Sequence, residues 1–168
     1  MNNKYFSNRQ EQMIADYLGW RQITGSGSRP GAPGDVNSSQ WLGECKTHDT
    51  EKKTIVFLKS HWFKICNEAR AKNRYPVLFK DNGTQRSDST WVMTVLSVFD
   101  PATVHIIEGL KNTSTKGNSL TFDLGETQST YKSNAVADKY NVFTLRWEDR
   151  NLAVMPLSTF RDFIKDSF

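Results

Sequence analysis

Two carboxylates and one lysine are spaced so that a short hairpin would bring them together. Glu44 and Lys46 stand two positions apart, and such residues of a β-strand project from the same face. With Ser39 and Gln40 at the turn, antiparallel pairing would place Asp35 directly opposite Glu44. Mg²⁺ prefers carboxylate oxygens, and a nearby lysine can orient or deprotonate water or stabilise a phosphorane. The spacing therefore predicts a magnesium site able to hydrolyse a phosphodiester.

A glycine-rich loop precedes the candidate aspartate. Residues 25–34 contain four Gly and two Pro, which predicts an irregular segment. A dinucleotide-binding fingerprint is excluded because its third Gly would stand at Pro30, and no Gly-Lys-Ser/Thr of a P-loop follows. Small residues let the backbone approach a phosphate, so the hydroxyl of Ser28 or Ser26 could bind the scissile phosphate and Arg29 a neighbouring one. Taken alone, the loop is better explained as a connector between strands.

An amphipathic helix is predicted before this loop. Ser7 and Gln10 have the spacing of an N-terminal capping box, and Gly19 would end the helix. The apolar residues at helical spacing are Met13, Ile14, Tyr17 and Leu18. Glu11 lies at the border of this stripe, where it could lean over a sheet edge towards a second metal ion or its water. An ordinary exposed helix residue is the alternative interpretation of Glu11.

The rest of the chain combines strand and helix patterns. Strands are predicted over residues 20–24, 35–37, 41–46, 55–58, 76–80, 91–99, 119–124, 141–147 and 152–155. Helices are predicted from Ser60 to about Asn73 and from Ser158 onwards. The basic residues around the first of these helices are Lys64, Arg70, Lys72 and Arg74. They fit either a DNA-facing surface or an ordinary solvated one.

Composition restricts the class of protein. The 168 residues are enough for one domain with a core, and 37% hydrophobic residues with five Trp indicate a globular fold. No apolar run of about 18 residues predicts a membrane span, and the first residues lack the apolar region of a signal peptide. Cys45 and Cys66 show no zinc-binding spacing with the three His, so we expect reduced cysteines and a cytoplasmic protein. The net charge of +4 permits a nucleic-acid partner without requiring one.

The order of these features resembles the PD-(D/E)XK nuclease superfamily, and within it the Holliday junction resolvases of archaea and bacteriophages. The residues that carry the resemblance are Glu11 on the first helix, Ser26 or Ser28 in the Gly/Ser loop, Asp35, Glu44 and Lys46. Residues 59–62 and 76–79 resemble the family's next helix and strand. The resemblance covers about residues 5–80, and residues 143–164 are similar to its closing hairpin and helix.

Two parts of the chain depart from the family's pattern. Gly34 stands between Pro33 and Asp35, where the family has Pro and Asp adjacent. Residues 81–140 have no counterpart, and we expect them to be an insertion within a single nuclease domain spanning residues 1–168.

The resemblance implies a fold, an activity and a set of roles. The fold is expected to be α/β and restriction-endonuclease-like, with a central mixed sheet of about five strands flanked by helices. The expected activity is Mg²⁺-dependent cleavage of four-way DNA junctions by a homodimer, with Mn²⁺ able to substitute, in the host cytoplasm if the protein is phage-encoded. The implied metal ligands are the carboxylates of Asp35 and Glu44 and the main-chain carbonyl of Cys45. The implied catalytic residues are Lys46, Glu11 and Ser28, and the implied DNA contacts are Ser26, Arg29, Lys59 and Lys64.

Three alternatives remain open. The protein could be another endonuclease of the superfamily, of restriction or flap type. It could be a non-catalytic nucleic-acid-binding module that keeps the fold. It could also be an unrelated α/β domain in which the Glu-x-Lys tripeptide arose by chance. His48, just beyond Lys46, could act as a base but is better explained as an exposed loop residue.

Overall fold

A computed structural model describes residues 3–23 and 33–168 of the chain as a combination of helices and strands. The four helices of these residues are α1 (Asn3–Leu18), α2 (Lys59–Ala71), α3 (Leu124–Asn134) and α4 (Leu157–Ser167). Their ten strands are β1 (Arg21–Gln22), β2 (Val36–Asn37), β3 (Trp41–Lys46), β4 (Thr54–Leu58), β5 (Tyr75–Asp81), β6 (Thr90–Val95), β7 (Val104–Ile106), β8 (Ser119–Asp123), β9 (Tyr140–Trp147) and β10 (Arg150–Pro156).

Eight of the strands form one mixed sheet in the order β1-β2-β3-β5-β6-β10-β9-β7, and β4 and β8 form a separate antiparallel pair. Within the large sheet, the β3–β5 and β7–β9 pairs are parallel. The expected α/β class with a mixed sheet is confirmed, whereas the expectation of about five strands is wrong. Three of the eight strands, β1, β2 and β7, have only two or three residues. Strands β1 and β2 lie within the strands predicted over residues 20–24 and 35–37, so the expected number of about five came from the family resemblance and not from the strand patterns. Only β7 of the large sheet was missed, because three residues are too few to show a period-two pattern.

Alternation along the strands gives the large sheet two apolar faces. On one face, Trp41 and Val77 belong to a core shared with α1 and α4. On the other face, Leu42 and Leu78 belong to a core shared with α2, β4 and β8. Glu44 follows Leu42 by two positions on β3, so its side chain projects on the α2 face.

The helix ends test the predicted caps. Helix α1 begins at Asn3, so the predicted start at Ser7 is wrong, whereas Gly19 follows the helix with a φ of +71° as its predicted stop. Helix α2 begins at Lys59, one residue before the predicted cap at Ser60. Within the described residues, no helix combines the length and the apolar character needed to cross a lipid bilayer.

Residues 81–140 contribute to the sheet as well as to its surroundings. Strand β6 lies between β5 and β10 in the interior of the large sheet. Strand β8 pairs with β4, and α3 follows directly from β8. The segment therefore supplies core residues, among them Trp91 and Phe122, which are fully buried.

Candidate active site

The hairpin of β2 and β3 places Asp35 beside Glu44. The predicted register is confirmed, because Val36 pairs with Gly43 in the antiparallel ladder. The turn is closed by the Ser38 N–H, which donates to the Trp41 carbonyl at 3.1 Å. One step beyond the ladder, the Asp35 N–H donates to the Gly43 carbonyl at 2.8 Å, which fixes the aspartate at the open end of the hairpin.

Asp35 and Glu44 form a buried pair of carboxyl groups. The Asp35 Oδ2 atom accepts a 2.8 Å hydrogen bond from the Cys45 N–H, and the carboxyl groups of Asp35 and Glu44 are within hydrogen-bonding reach. Glu44 is only 3% exposed. Burial, followed by the hydrogen bond and the charge of Asp35, raises the pKa of Glu44. Two adjacent buried carboxylates repel each other, so a cation placed between them would favour the doubly ionised form.

Lys46 completes the predicted group. Its Nζ atom lies 3.7 Å from Glu44 Oε1, and its side chain is 33% exposed. The two residues therefore share a face of β3, as their spacing predicts. The partly exposed ammonium is accessible to a substrate while remaining beside the carboxylates.

Glu11 approaches the same group from α1. The neighbouring Gln10 donates from Nε2 to the Lys46 carbonyl at 2.6 Å, which ties α1 to the end of β3. Burial and the charge of Asp35 raise the pKa of Glu11 to about 7, and Glu44 adds to the increase. Glu11 therefore lies in the field of the carboxyl pair, as expected from its position on the helix.

Helix α2 adds residues that sequence reasoning did not assign to the carboxyl pair. The Lys64 Nζ atom lies 2.8 Å from Glu44 Oε2 and 3.2 Å from Glu68 Oε1. The other oxygen of Glu68 accepts a 2.8 Å hydrogen bond from the Gly34 N–H, directly before Asp35. Lys64 was predicted as a DNA contact, and the structure places its ammonium on a predicted metal ligand. The spacing of Lys64 and Glu68 along the helix could have suggested that they share a face, but not which strand they meet.

His61 and Lys80 also lie near the site. Strand β5 pairs Lys80 with Lys46 in parallel register, so both side chains project on the α2 face. Burial is the main cause that lowers the pKa of Lys80 to about 8, and Lys46 contributes. Burial, followed by the charges of Lys46, Lys80 and Lys64, lowers the pKa of His61 to about 4. A lysine within a buried strand is rare, and this was the signal in the sequence that could have singled out Lys80.

The remaining predicted residues have different positions. Lys59 forms a 2.8 Å ion pair with Glu148, and it lies on a different side of α2 from Lys64. The side chain of Cys45 is buried in the α1 face of the sheet, as its alternation with Glu44 predicts, and burial raises its pKa well above the usual value. The predictions for Ser26, Ser28 and Arg29 fall outside the described residues.

The donor set suits a hydrated magnesium ion better than a closed protein cage. Among residues 3–23 and 33–168, no group of three or more His, Cys, Asp or Glu side chains is arranged to hold a metal ion. Mg²⁺ is commonly bound by one or two carboxylates and keeps several waters and substrate oxygens as its other ligands. Asp35 and Glu44, with the carbonyl of Cys45, fit that mode of binding.

Comparisons with known proteins do not place the chain in a family. No family model matches it, and neither the curated proteins nor the solved structures give a significant match. The interpretation of the site therefore depends on its residues and their geometry.

Proposed function

We propose that this protein is a Mg²⁺-dependent DNA endonuclease with the active-site arrangement of the PD-(D/E)XK superfamily. The observation that carries the proposal is the buried pair of Asp35 and Glu44 with the Lys46 ammonium 3.7 Å from Glu44 Oε1. Their order along the chain and their meeting at one end of a hairpin support the resemblance noted in the sequence. A restriction-endonuclease-like fold is part of the same proposal.

Each residue of the group has a distinct role in this proposal. Asp35, Glu44 and the Cys45 carbonyl would hold Mg²⁺, which when bound acidifies water and stabilises charge that develops on the phosphate. Lys46 orients or deprotonates the attacking water, or offers a fixed positive charge to the phosphorane. Glu11 would accept a hydrogen bond from water on the α1 side, and Ser28 would hold the scissile phosphate.

The proposed substrate is branched DNA, with a four-way junction as the preferred form. Support comes from the sequence resemblance and from the arrangement in which α1 with Glu11, the hairpin, α2 and the parallel strand β5 follow one another. A homodimer with two copies of the site would cut a junction on opposing strands.

A non-catalytic nucleic-acid-binding module is the second candidate. The observation that favours it is the contact between the Lys64 ammonium and Glu44, since a lysine can replace a metal ion as the permanent counterion of a carboxylate. In that case the protein would bind DNA with or without divalent cations and would not cut it.

A plasmid-nicking assay in Mg²⁺ and in EDTA separates the two candidates. We expect nicking only when Mg²⁺ or Mn²⁺ is present. The cleavage rate should fall by roughly 100-fold or more in Asp35→Asn, Glu44→Gln and Lys46→Ala, because each group acts mainly in the transition state. In EDTA, the DNA affinity of Asp35→Asn and Lys46→Ala should change little. Glu108→Gln, which alters an exposed carboxylate, is the matched control and should cut normally. Normal cutting by Glu44→Gln would contradict the assignment of the site.

A further inference from the structure

The ammonium of Lys64 already occupies one side of the Glu44 carboxylate. Lys64 Nζ lies 2.8 Å from Glu44 Oε2, while the other oxygen of Glu44 faces Lys46 at 3.7 Å. Burial disfavours the charged form of Lys64, but the hydrogen bonds and charges of Glu44 and Glu68 raise its pKa above the ordinary value. Lys64 is therefore a cation at neutral pH, bound to a carboxylate that is almost completely buried.

This contact conflicts with metal binding at the same carboxylate. An ammonium and a divalent cation on one buried carboxylate repel each other strongly, because the surroundings contain little water to screen them. The Glu44 backbone is held by its pairing with Leu78 of β5, and its side chain is only 3% exposed, so this carboxylate has little room to turn away. Lys64 can move, because its side chain is 56% exposed and extends from the surface of α2.

The position of Glu68 gives Lys64 a second anchor. Glu68 stands one helical turn after Lys64 and contacts its ammonium at 3.2 Å. The Gly34 N–H holds Glu68 in place through its other oxygen. When the ammonium leaves Glu44, the flexible lysine stem can turn towards solvent, where DNA phosphates would bind.

We propose that Lys64 is an exchangeable counterion, which neutralises Glu44 until a divalent metal binds and then transfers its charge to a DNA phosphate. This inference rests on the proposed metal-dependent function. It explains how the same lysine can contact Glu44 in the free protein and bind DNA, as the sequence resemblance implies. The consequence is a positive coupling between metal and DNA, which by linkage acts equally in both directions.

The first test measures Mn²⁺ binding without DNA, by titration calorimetry and by the electron paramagnetic resonance signal of free Mn²⁺. Lys64→Met keeps most of the stem but removes the competing charge, so Mn²⁺ should bind on the order of tenfold more tightly than to the wild type. Lys64→Arg offers a bidentate partner to the carboxylate and should weaken Mn²⁺ binding. Lys72→Met, at the end of the same helix, is the matched control and should bind Mn²⁺ like the wild type.

The second test measures the coupling by fluorescence anisotropy of a labelled four-way junction in Ca²⁺ and in EDTA. Ca²⁺ is used because we expect it to bind without supporting cleavage. For each protein, the DNA affinity in Ca²⁺ is divided by the DNA affinity in EDTA. This ratio should be smaller for Lys64→Met than for the wild type, and the two ratios should differ by the factor by which Lys64→Met binds metal more tightly in the absence of DNA. Lys72→Met should retain the wild-type ratio.

The outcomes separate this inference from the proposed function. If the wild type binds Mn²⁺ and cuts DNA but Lys64→Met binds Mn²⁺ no more tightly, the exchange of Lys64 is disproved and the nuclease proposal stands. If neither protein binds Mn²⁺ or Ca²⁺, both proposals fail and Lys64 is a permanent counterion. Should Lys64→Met fold poorly by circular dichroism, Lys64→Arg, which preserves the ion pair, decides the question through its weaker metal binding.

Discussion

Glu44 is the residue on which the candidate site depends. It is almost fully buried, yet its carboxyl group contacts two ammonium groups and adjoins a second carboxyl group. In such a position, the protonation of Glu44 is set by its neighbours more than by the solvent. Its charge state is therefore linked both to the proposed metal binding and to the stability of the protein without metal.

The stability of the metal-free protein should depend on the protonation of Glu44. The pKa of Glu44 is raised from 4.5 to about 7 in the folded state, so folded molecules hold a proton there that unfolded molecules release between these pH values. This contribution is present below pH 4.5 and is lost as the pH rises to about 7. Relative to Glu44→Gln, the wild type should lose on the order of 5 °C in Tm across this window, measured by calorimetry in EDTA.

The comparison with Glu44→Gln removes an opposing contribution. The pKa of His61 is lowered from 6.5 to about 4, so His61 adds stability as the pH rises through that range. Both proteins retain His61, so the difference between their Tm values reports Glu44 together with its effect on the neighbouring Glu11. Tm curves that run parallel between pH 4 and 8 would contradict the raised pKa of Glu44.

The sequence predicts residues that are close along the chain better than residues brought together by packing. Asp35, Glu44 and Lys46 are joined by one short hairpin, whose register follows from the turn position. Lys64 and Lys80 reach the same site from α2 and β5, and their approach depends on how a helix packs across a parallel pair of strands. The buried-strand position could have marked Lys80 as unusual, but no local pattern encodes the distance of either lysine from the carboxyl pair.

The bend into β2 explains why Gly34 stands before Asp35, where the nuclease superfamily that the sequence resembles has Pro. Gly34 has a φ of +74°, in the left-handed region that favours glycine, and its N–H donates to Glu68. A Cβ atom at this position would lie 2.7 Å from Leu42 Cδ1 and 3.2 Å from the Gly43 carbonyl oxygen. The glycine before Asp35 is thus required by the bend and by close packing against β3.

Gly34→Ala should be more destabilising than the same change at a glycine with open surroundings. Gly117 has a similar φ of +70°, but a Cβ atom there would meet nothing within 4 Å. In both variants the left-handed conformation of the alanine lowers the free energy of unfolding by about 1–2 kcal/mol. Gly34→Ala should lose about 1–3 kcal/mol more in urea unfolding, because it also overpacks Leu42. Equal losses in the two variants would show that Leu42 moves aside at little cost.

Some elements could be predicted from local patterns and others could not. The apolar stripe of α1 has helical spacing and the helix is present, and β3 coincides with the strand predicted over residues 41–46 from the hairpin spacing. Helix α3 was missed, although the Asp123 side chain caps it by accepting from the Glu126 N–H at 2.8 Å. This helix has only one buried residue, Thr127, so it lacks the apolar stripe by which helices are predicted. Its acidic cap spacing was the available signal.

At the scale of the molecule, four large aromatic residues of the second half belong to the core and do not form an interaction surface. The four that could have supplied apolar surface for a dimer are Trp91, Phe99, Phe143 and Trp147, and all are buried. Tyr75 and Phe168 are more exposed, at 45% and 42%, with their ring centroids 5.8 Å apart. A dimer would therefore have to use surface residues other than these four.

The number of sites per molecule leads to the prediction of a dimer on branched DNA. In the proposed function, one copy of the Asp35–Glu44–Lys46 group would cut one strand, whereas resolving a four-way junction into two ligatable duplexes needs two symmetrical cuts. A two-fold homodimer is the commonest way for a soluble protein to present two identical sites. We expect light scattering to give twice the mass of the 19.2 kDa chain, and that mass plus the mass of one junction when DNA is bound.

Cleavage mapping on strand-labelled substrates tests the same prediction through its products. A dimer with one site per subunit should give paired nicks at symmetry-related positions of a four-way junction, and far fewer cuts in a linear duplex of the same sequence. Mixing wild type with excess Lys46→Ala should produce dimers with one working site, which nick a junction once without resolving it. A protein that stays monomeric on DNA and cuts duplex as readily as junctions would contradict the resolvase proposal, because its two cuts would then be independent events. That result would leave a metal-dependent endonuclease of another kind, since the chemistry of the site does not depend on how many copies meet on the substrate.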